Sequence, residues 1–530
     1  MNKSITREEW AKLILMLAIL LGGVVRFLPT FLAGFPINDG GMFAAMVDDL
    51  KVSGYALPIS TSFNLANLPY AYPPLGFYLA RIIGDLFHLD SVTLARWVPA
   101  FFATLAIPAF YLLAVRLMPS RIHAAFATLF FALMPRAFSW FVEGGGLARS
   151  PGQLFMLLTF ASVVKLYRPH PEPPSTREKG ERLKEIFWAG LWGGLAVLSH
   201  PEAAVHTAFS CLLLWLALAR TRRTFLHSLG VTGLAALVSA PWWVTVLARH
   251  GLGSILAAAQ TGQKWLAVLH LVFFSFTEEP YATVIAVLGL VGLIHQLTRK
   301  QFTLPLWLAL PFFVEGRSAH LPAAVPLAML ASIALVEVIL PGLRNAAKQD
   351  APQENVTRSE MAVFFYLFLF LVFAAGEFGW QISTSRVYPG DRMAMQWVRS
   401  NTAADAKFLV LTGSPVISYD PVPEWFPMLT GRSSLLTVQG LEWVAGKDFG
   451  EAVAQAEALQ TCLSVSAECI LESEAAQDFD YLYISRILRT ENFELLSPAR
   501  TYPYVVEQLR ANNHLAVVYE TEEVIIFRKK

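Results

Sequence analysis

About eleven apolar stretches, each near the length of a bilayer crossing, constrain this chain more than any other feature. They cover 13–33, 94–117, 122–141, 151–167, 186–200, 202–220, 226–247, 281–298, 302–315, 321–340 and 361–380. A helix needs about 20 apolar residues to cross, because hydrocarbon offers no partner to a backbone N–H or C=O. The composition agrees: 55% of the 530 residues are hydrophobic and 15% are charged, where soluble domains carry about 25% charged residues. The expectation is a polytopic α-helical membrane protein with about eleven transmembrane helices. The first stretch lacks a small-residue cleavage site after a short core, which reads as a retained helix rather than a removed leader. A net charge of +1 leaves no electrostatic footprint for a nucleic-acid partner.

Charge sets the orientation. Lys3, Arg7, Lys12, Arg116, Arg121, His123, Arg168, Arg177, Lys179, Arg182 and Lys184 fall on one side of these spans. Arg220, Arg222, Arg223, Arg299, Lys300, Arg344 and Lys348 join them. The positive-inside rule makes that side the cytoplasm. The other side receives Asp39, Asp48, Asp49, Glu143, Arg149, His200, Glu202, Glu278, Glu279, Glu315, Arg317 and His320. The predicted protein is a multi-pass protein of the plasma (cytoplasmic) membrane with a cytoplasmic N-terminus. Residues 1–382 form its membrane body, with 34–93 as an outer loop holding juxtamembrane helices. Within that loop, the apolar run opened by Tyr72-Pro73-Pro74 is broken by Arg81 and Asp85, so it reads as juxtamembrane or re-entrant. Residues 383–530 form an extracytoplasmic α/β or α+β domain, with strands at 408–412, 481–484, 515–519 and 524–527 and helices at 448–462 and 504–512. Cys462 and Cys469 lie close together there, where an oxidising compartment permits a disulfide.

Ionisable groups at membrane depth are costly and mark function by default. Asp39, in Ile37-Asn38-Asp39-Gly40-Gly41-Met42-Phe43, either caps a helix over 39–50 or serves as an active-site acid. Tyr72 is either part of a simple turn or an aromatic that meets a sugar or the interface. Glu143-Gly144-Gly145-Gly146-Leu147-Ala148-Arg149 is either a backbone nest for an anion, with Arg149 as a bidentate donor, or a tight turn closed by a Glu143–Arg149 pair. His200, Glu202 and His206 offer a divalent-metal trio or a local hydrogen bond. Arg317 meets a lipid phosphate or pairs with Glu315. Glu424-Trp425 and Glu442-Trp443 suit a carbohydrate surface or a face packed on the membrane body.

The order of these features resembles the GT-C class of membrane glycosyltransferases. That order is an apolar first helix, an acid in the first outer loop, a Tyr-Pro-Pro-Leu segment and an arginine at an outer helix end. The likeness covers about residues 10–380 and is closer to the family 39 type, which includes protein O-mannosyltransferases and the aminoarabinose transferase of lipid A. The resemblance implies transfer of a sugar from a polyprenyl-phosphate donor to an extracytoplasmic lipid, glycan or protein acceptor. It puts Asp39 in the catalytic place and Arg317 on the donor phosphate, with Arg149 and His320 beside it. Tyr72, Glu143, His200 and Glu202 are the expected substrate contacts. Many members carry a second acid next to the first, where this chain has Gly40. No cofactor is assigned, and a divalent metal is an open option. The alternatives are a transporter or flippase of lipid-linked sugars and a non-catalytic membrane assembly protein. Transporters keep polar groups at the midplane and often show repeats, whereas here the polar groups sit at one face.

Overall fold

The computed structural model describes residues 5–167, 176–260, 265–275, 283–346, 355–473, 477–487 and 502–530, with the side chains of 176–179 and 265 excepted. Lys3, Arg168, Glu278, Glu279 and Lys348 lie outside the described residues.

Every apolar stretch carries a helix. The first, α1 (Arg7–Ala33), opens on a capping box between Thr6 and Glu9. Two short helices, α2 (Gly41–Val52) and α3 (Leu75–Phe87), fill the loop before α4 (Ser91–Leu117). Next come α5 (Arg121–Leu133), α6 (Ser139–Val142), α7 (Gly146–Tyr167), α8 (Thr176–Ser199), α9 (Pro201–Leu218) and α10 (Arg222–His250). The short α11 (Gly253–Gln260) and α12 (Leu269–Val272) precede α13 (Val284–Thr298), α14 (Thr303–Val314) and α15 (His320–Ile333). A π-helical turn over Ala334–Ile339 carries α15 on into α16 (Leu340–Ala346), and α17 (Arg358–Ile382) closes the bundle. Among the described residues, seven helices are long and apolar enough to cross a membrane: α1, α4, α7, α9, α10, the α15–α16 rod and α17. Three more, α5, α13 and α14, are apolar but shorter.

One expected span is corrected. Residues 122–141 do not form a single helix: α5 stops at Leu133, and Pro135 opens a short 3₁₀ turn before α6. Proline has no N–H to continue the ladder, and it disfavours a helical residue before it. The open end of α5 is satisfied from α1. Arg26, fully buried, donates from Nη1 to the Ala132 carbonyl at 2.6 Å and to Gly22 O at 3.0 Å. A cation at a helix C-terminus also matches the helix dipole. Gly22 permits the approach, since a Cβ there would lie 2.6 Å from Ile107 Cδ1 and 2.8 Å from Ala132 Cβ. Helix α3 is 13 residues long, about 20 Å at 1.5 Å per residue, against a hydrocarbon core of about 30 Å. It is amphipathic, and Arg81 pairs with Asp85.

The C-terminal part begins with α18 (Pro389–Asn401) and α19 (Pro421–Thr430). It continues through α20 (Glu442–Ala445), α21 (Phe449–Thr461) and α22 (Ala467–Leu471) to α23 (Pro503–Ala511). Its strands are β1 (Lys407–Leu411), β2 (Ser433–Ser434), β3 (Tyr481–Ser485), β4 (Leu515–Glu520) and β5 (Val524–Lys529), in the order β2-β1-β3-β5-β4. β1 runs parallel to β2 and β3, and β5 runs antiparallel to β3 and β4. The central strands are buried on both faces, which explains their unbroken apolar sequences. Leu409, Leu482, Ile484 and Phe527 pack beneath α21–α23, while Phe408, Val410, Tyr483 and Ile526 face α18, α19 and the membrane body. Cys462 and Cys469 form a disulfide. The first loop is tied to the segment after α17 and to the sheet: Asn38 N donates to Ser385 O at 2.6 Å, and Asn64 exchanges two hydrogen bonds with Ser434 of β2.

Candidate active site

Position 39 is decided by how α2 starts. The sequence allows Asn38 or Asp39 to cap it, but the helix begins at Gly41, and Gly40 is the N-cap with no side-chain cap. The capping acid arrives from elsewhere. Glu424 of α19 accepts from Gly40 N at 2.7 Å and Gly41 N at 3.2 Å. Next to it, Trp425 Nε1 donates to Asn38 O at 2.9 Å. Gly40 has φ +115°, and a Cβ there would lie 2.6 Å from the Gly144 carbonyl carbon, so only glycine serves.

Relieved of capping, Asp39 turns to the next loop. Its Oδ1 accepts from Gly145 N at 2.8 Å, and both carboxylate oxygens accept from Arg149 Nη2, at 2.7 and 2.6 Å. Gly144 N donates to Ile37 O at 2.9 Å and zips the two loops together. The glycine nest thus holds an anion, and the anion is the protein's own aspartate. Arg149 stacks over Trp140, 5.2 Å from the ring centroid. Its distance to Glu143 is 4.0 Å, so the Glu143–Arg149 closure, one of the two alternatives at this turn, is secondary to the Asp39 pair.

Glu143 instead accepts from Asn38 Nδ2 at 3.1 Å. Burial, and then the charge of Asp39, push its carboxyl up to about 7. Between its ordinary value of 4.5 and about 7 the folded chain holds a proton that the unfolded chain has lost. Stability therefore falls as pH rises through that window and levels off above it, by at most about 1.4 kcal/mol per pH unit. A Glu143→Gln variant is expected to lack this slope. Unfolding temperatures of the two proteins across the window check it, and parallel curves would refute it.

A second group faces the first across a small cleft lined by Phe141, Arg149, Gln153, His200, Glu202, His206 and Ser318, among others. His200 precedes Pro201 at the start of α9, and Glu202 lies in the first turn. Arg317 donates to Glu202 Oε1 at 2.9 Å, with 47% of its side chain exposed. Arg317 was expected on a phosphate or on Glu315. Glu315 is engaged by the backbone N–H groups of Arg317 and Ser318 and by the Ser318 hydroxyl, so Glu202 takes the guanidinium. His320 opens α15 and is buried, with Nε2 3.1 Å from Ser275 O and its ring against Phe312. The structure does not bring it to the cleft wall.

Tyr72 stands between the two groups. Its ring packs on Phe43, Phe77, His200 and Trp443. Burial raises its phenol above the ordinary range, and the charges of Arg149, Glu202, Arg317 and Glu442 all act on it. Trp425 is fully buried and Trp443 nearly so, which answers the open question about the tryptophans in favour of packing on the membrane body. Trp140 and Gln153 are additions that no sequence motif announced. Among the described residues no three His, Cys, Asp or Glu side chains form a group able to hold a metal, so His200, Glu202 and His206 do not make the trio their spacing suggested.

Residues 71–245 match the family model of the dolichyl-phosphate-mannose-protein mannosyltransferases. No curated protein matches the sequence. Solved structures similar to the chain include ArnT from Cupriavidus metallidurans bound to undecaprenyl phosphate. It is 14% identical with a TM-score of 0.53, and the likeness covers 98% of this chain and 97% of that one. The oligosaccharyltransferase of Archaeoglobus fulgidus, tethered with an acceptor peptide, is 16% identical with a TM-score of 0.55 over 90% of this chain and 69% of that chain. The arabinofuranosyltransferase AftD from Mycobacteria is 14% identical with a TM-score of 0.55; 99% of this chain corresponds to 42% of it. The integral-membrane chain thus has the fold of the GT-C membrane glycosyltransferases and, over residues 71–245, resembles their mannosyltransferase family.

Proposed function

We propose that this chain is a membrane glycosyltransferase that moves a sugar from a polyprenyl-phosphate donor to an extracytoplasmic acceptor. One observation carries the reading. Asp39 is spared helix capping and is fixed by Arg149 and Gly145 N, and Arg149 lines the same cleft as the Glu202 that holds Arg317. The direct partners of a carboxylate and of a half-exposed guanidinium, drawn from distant parts of the chain, thus line one cleft.

In this mechanism the donor phosphate meets the Nη and Nε groups of Arg317 that Glu202 leaves unused. The acceptor oxygen attacks the anomeric carbon, and its proton passes to Asp39. The bond from that carbon to the phosphate oxygen breaks with its electron pair, and polyprenyl phosphate departs. Attack opposite the leaving group inverts the anomeric centre. Arg149 orients Asp39 and stabilises its charge, Tyr72 and His200 border the sugar, and Glu143 and Glu202 are the acids on either side. His320 supports the turn behind Arg317. Residues 383–530 form a domain that covers the site through Glu424, Trp425 and Trp443. The Cys462–Cys469 disulfide supports an extracytoplasmic location for it, with the N-terminus in the cytoplasm. The lipid phosphate in the ArnT complex supports the donor class.

Purified protein in vesicles, given a labelled polyprenyl-phosphate sugar and a mixture of lipid, glycan and peptide acceptors, tests this. Label on an acceptor is the expected result. Label moved across the bilayer without transfer would make the chain a transporter, and neither outcome would make it an assembly protein. Arg317→Gln is expected to raise KM for the donor about tenfold or more, the worth of a charge-assisted hydrogen bond to phosphate. An unchanged KM removes Arg317 from the phosphate.

A further inference from the structure

Three arginines gather around the last turn of α1. Arg96 of α4 donates from Nε to Thr30 O at 3.1 Å and stacks on Trp97, 4.6 Å from the ring centroid. Arg386, between α17 and α18, donates from Nη1 to Leu32 O and Ala33 O, both at 2.5 Å. Arg392 of α18 lies 5.3 Å over Phe35. The three sense one another: Arg392 acts on Arg96, and Arg386 acts on Arg392. Burial, and then Arg386, hold the Arg392 guanidinium below its ordinary range.

Capping the carbonyls of α1 explains only part of this. Arg96 uses Nε alone, Arg386 uses Nη1 alone, and Arg392 makes no hydrogen bond among the described residues. The Nε atoms of Arg386 and Arg392 are buried without a partner. None of the three forms an ion pair with a carboxylate among the described residues. Three like charges at close quarters repel, and water alone does not explain why they converge. Their surroundings point to the missing counter-charge. Phe31 is 65% exposed and Trp380 59% exposed, with Phe101 also open. Large apolar side chains bared on α1, α4 and α17 meet lipid, and arginines beside an aromatic fringe sit where head groups lie.

We propose that Arg96, Arg386 and Arg392 bind the phosphate of an anionic membrane lipid, with its acyl chains against the exposed side chains of α1, α4 and α17. Guanidinium forks match phosphate oxygens two at a time. None of the three lines the cleft between Arg149 and Glu202, so this site is separate from the one assigned to the donor. The inference rests on membrane embedding and not on sugar transfer.

Lipid binding to the full chain, by native mass spectrometry and thermal shift in neutral detergent, tests it without any activity readout. Phosphatidylglycerol is expected to bind and stabilise more than phosphatidylcholine. Arg392→Gln is expected to weaken phosphatidylglycerol binding about tenfold, and Arg392→Lys less. Because Arg392 makes no hydrogen bond among the described residues, the Gln variant should unfold near the wild-type temperature in phosphatidylcholine. Equal phosphatidylglycerol affinity in wild type and Arg392→Gln would overturn the proposal. So would equal binding of the two lipids. Inorganic phosphate stabilising as well as phosphatidylglycerol would show a free-anion site and overturn the lipid assignment.

Discussion

An Asp39→Asn variant is expected to insert and reach the wild-type fold at somewhat lower stability, and to lose sugar transfer by about 10²–10⁴-fold, the usual worth of a positioned general base. Asparagine keeps an oxygen for the Gly145 N–H but cannot take the acceptor proton. The substitution leaves Arg149, only 11% exposed at its side chain, without its closest counter-charge; Glu143 remains 4.0 Å away. A modest stability loss of about 1–3 kcal/mol follows from an incompletely paired buried group. The measurement is turnover with saturating donor beside an unfolding curve. A folded Asp39→Asn protein with wild-type turnover removes Asp39 from the chemistry.

The second large effect needs no change of charge. A Cβ at Gly145 would fall on Arg149 Nη2 and Asp39 Oδ2, far inside van der Waals contact with both. Gly145→Ala therefore drives a methyl group between carboxylate and guanidinium. The pair must part or the loop must shift, and a displacement of about 1 Å in a catalytic group costs about 10²-fold in rate. We expect kcat to fall by that order while donor KM, which the proposed mechanism assigns to Arg317, changes little. Gly146→Ala is a poor control, since its own Cβ would meet the Phe141 carbonyl. Gly180→Ala meets nothing within 4 Å among the described residues and should leave turnover alone. A Gly145→Ala enzyme with unaltered kcat would show that Asp39 does not depend on this contact.

Local patterns carried most of the fold. Each apolar run carries a helix because length and hydrophobicity suffice to specify one in lipid, and Phe408–Leu411 and Val524–Phe527 became strands because β-branched and aromatic runs bounded by polar residues suit a buried sheet. The break at Pro135 was written in the chain but hidden inside an apolar run. Asp39 could be singled out by its place at the end of the first helix. Its partners could not. Arg149 is 110 residues away and Glu424 is 384 residues from Gly40. For each cation the sequence displays a nearby acid, Glu143 for Arg149 and Glu315 for Arg317, and in each case the fold chose a distant one. Arg317 and Glu202 are 115 residues apart. Such pairs follow from helix packing, which spacing along the chain does not encode.

The carboxylate that starts α2 belongs to the last quarter of the chain. During synthesis the first loop therefore emerges with its helix uncapped and Asp39 able to fold back onto the free N–H groups of Gly40 and Gly41. Only once the closing stretch has docked does Glu424 take those N–H groups and leave Asp39 to Arg149. A half-made chain would thus lack the Asp39–Arg149 arrangement seen here until its last quarter has folded against the first loop.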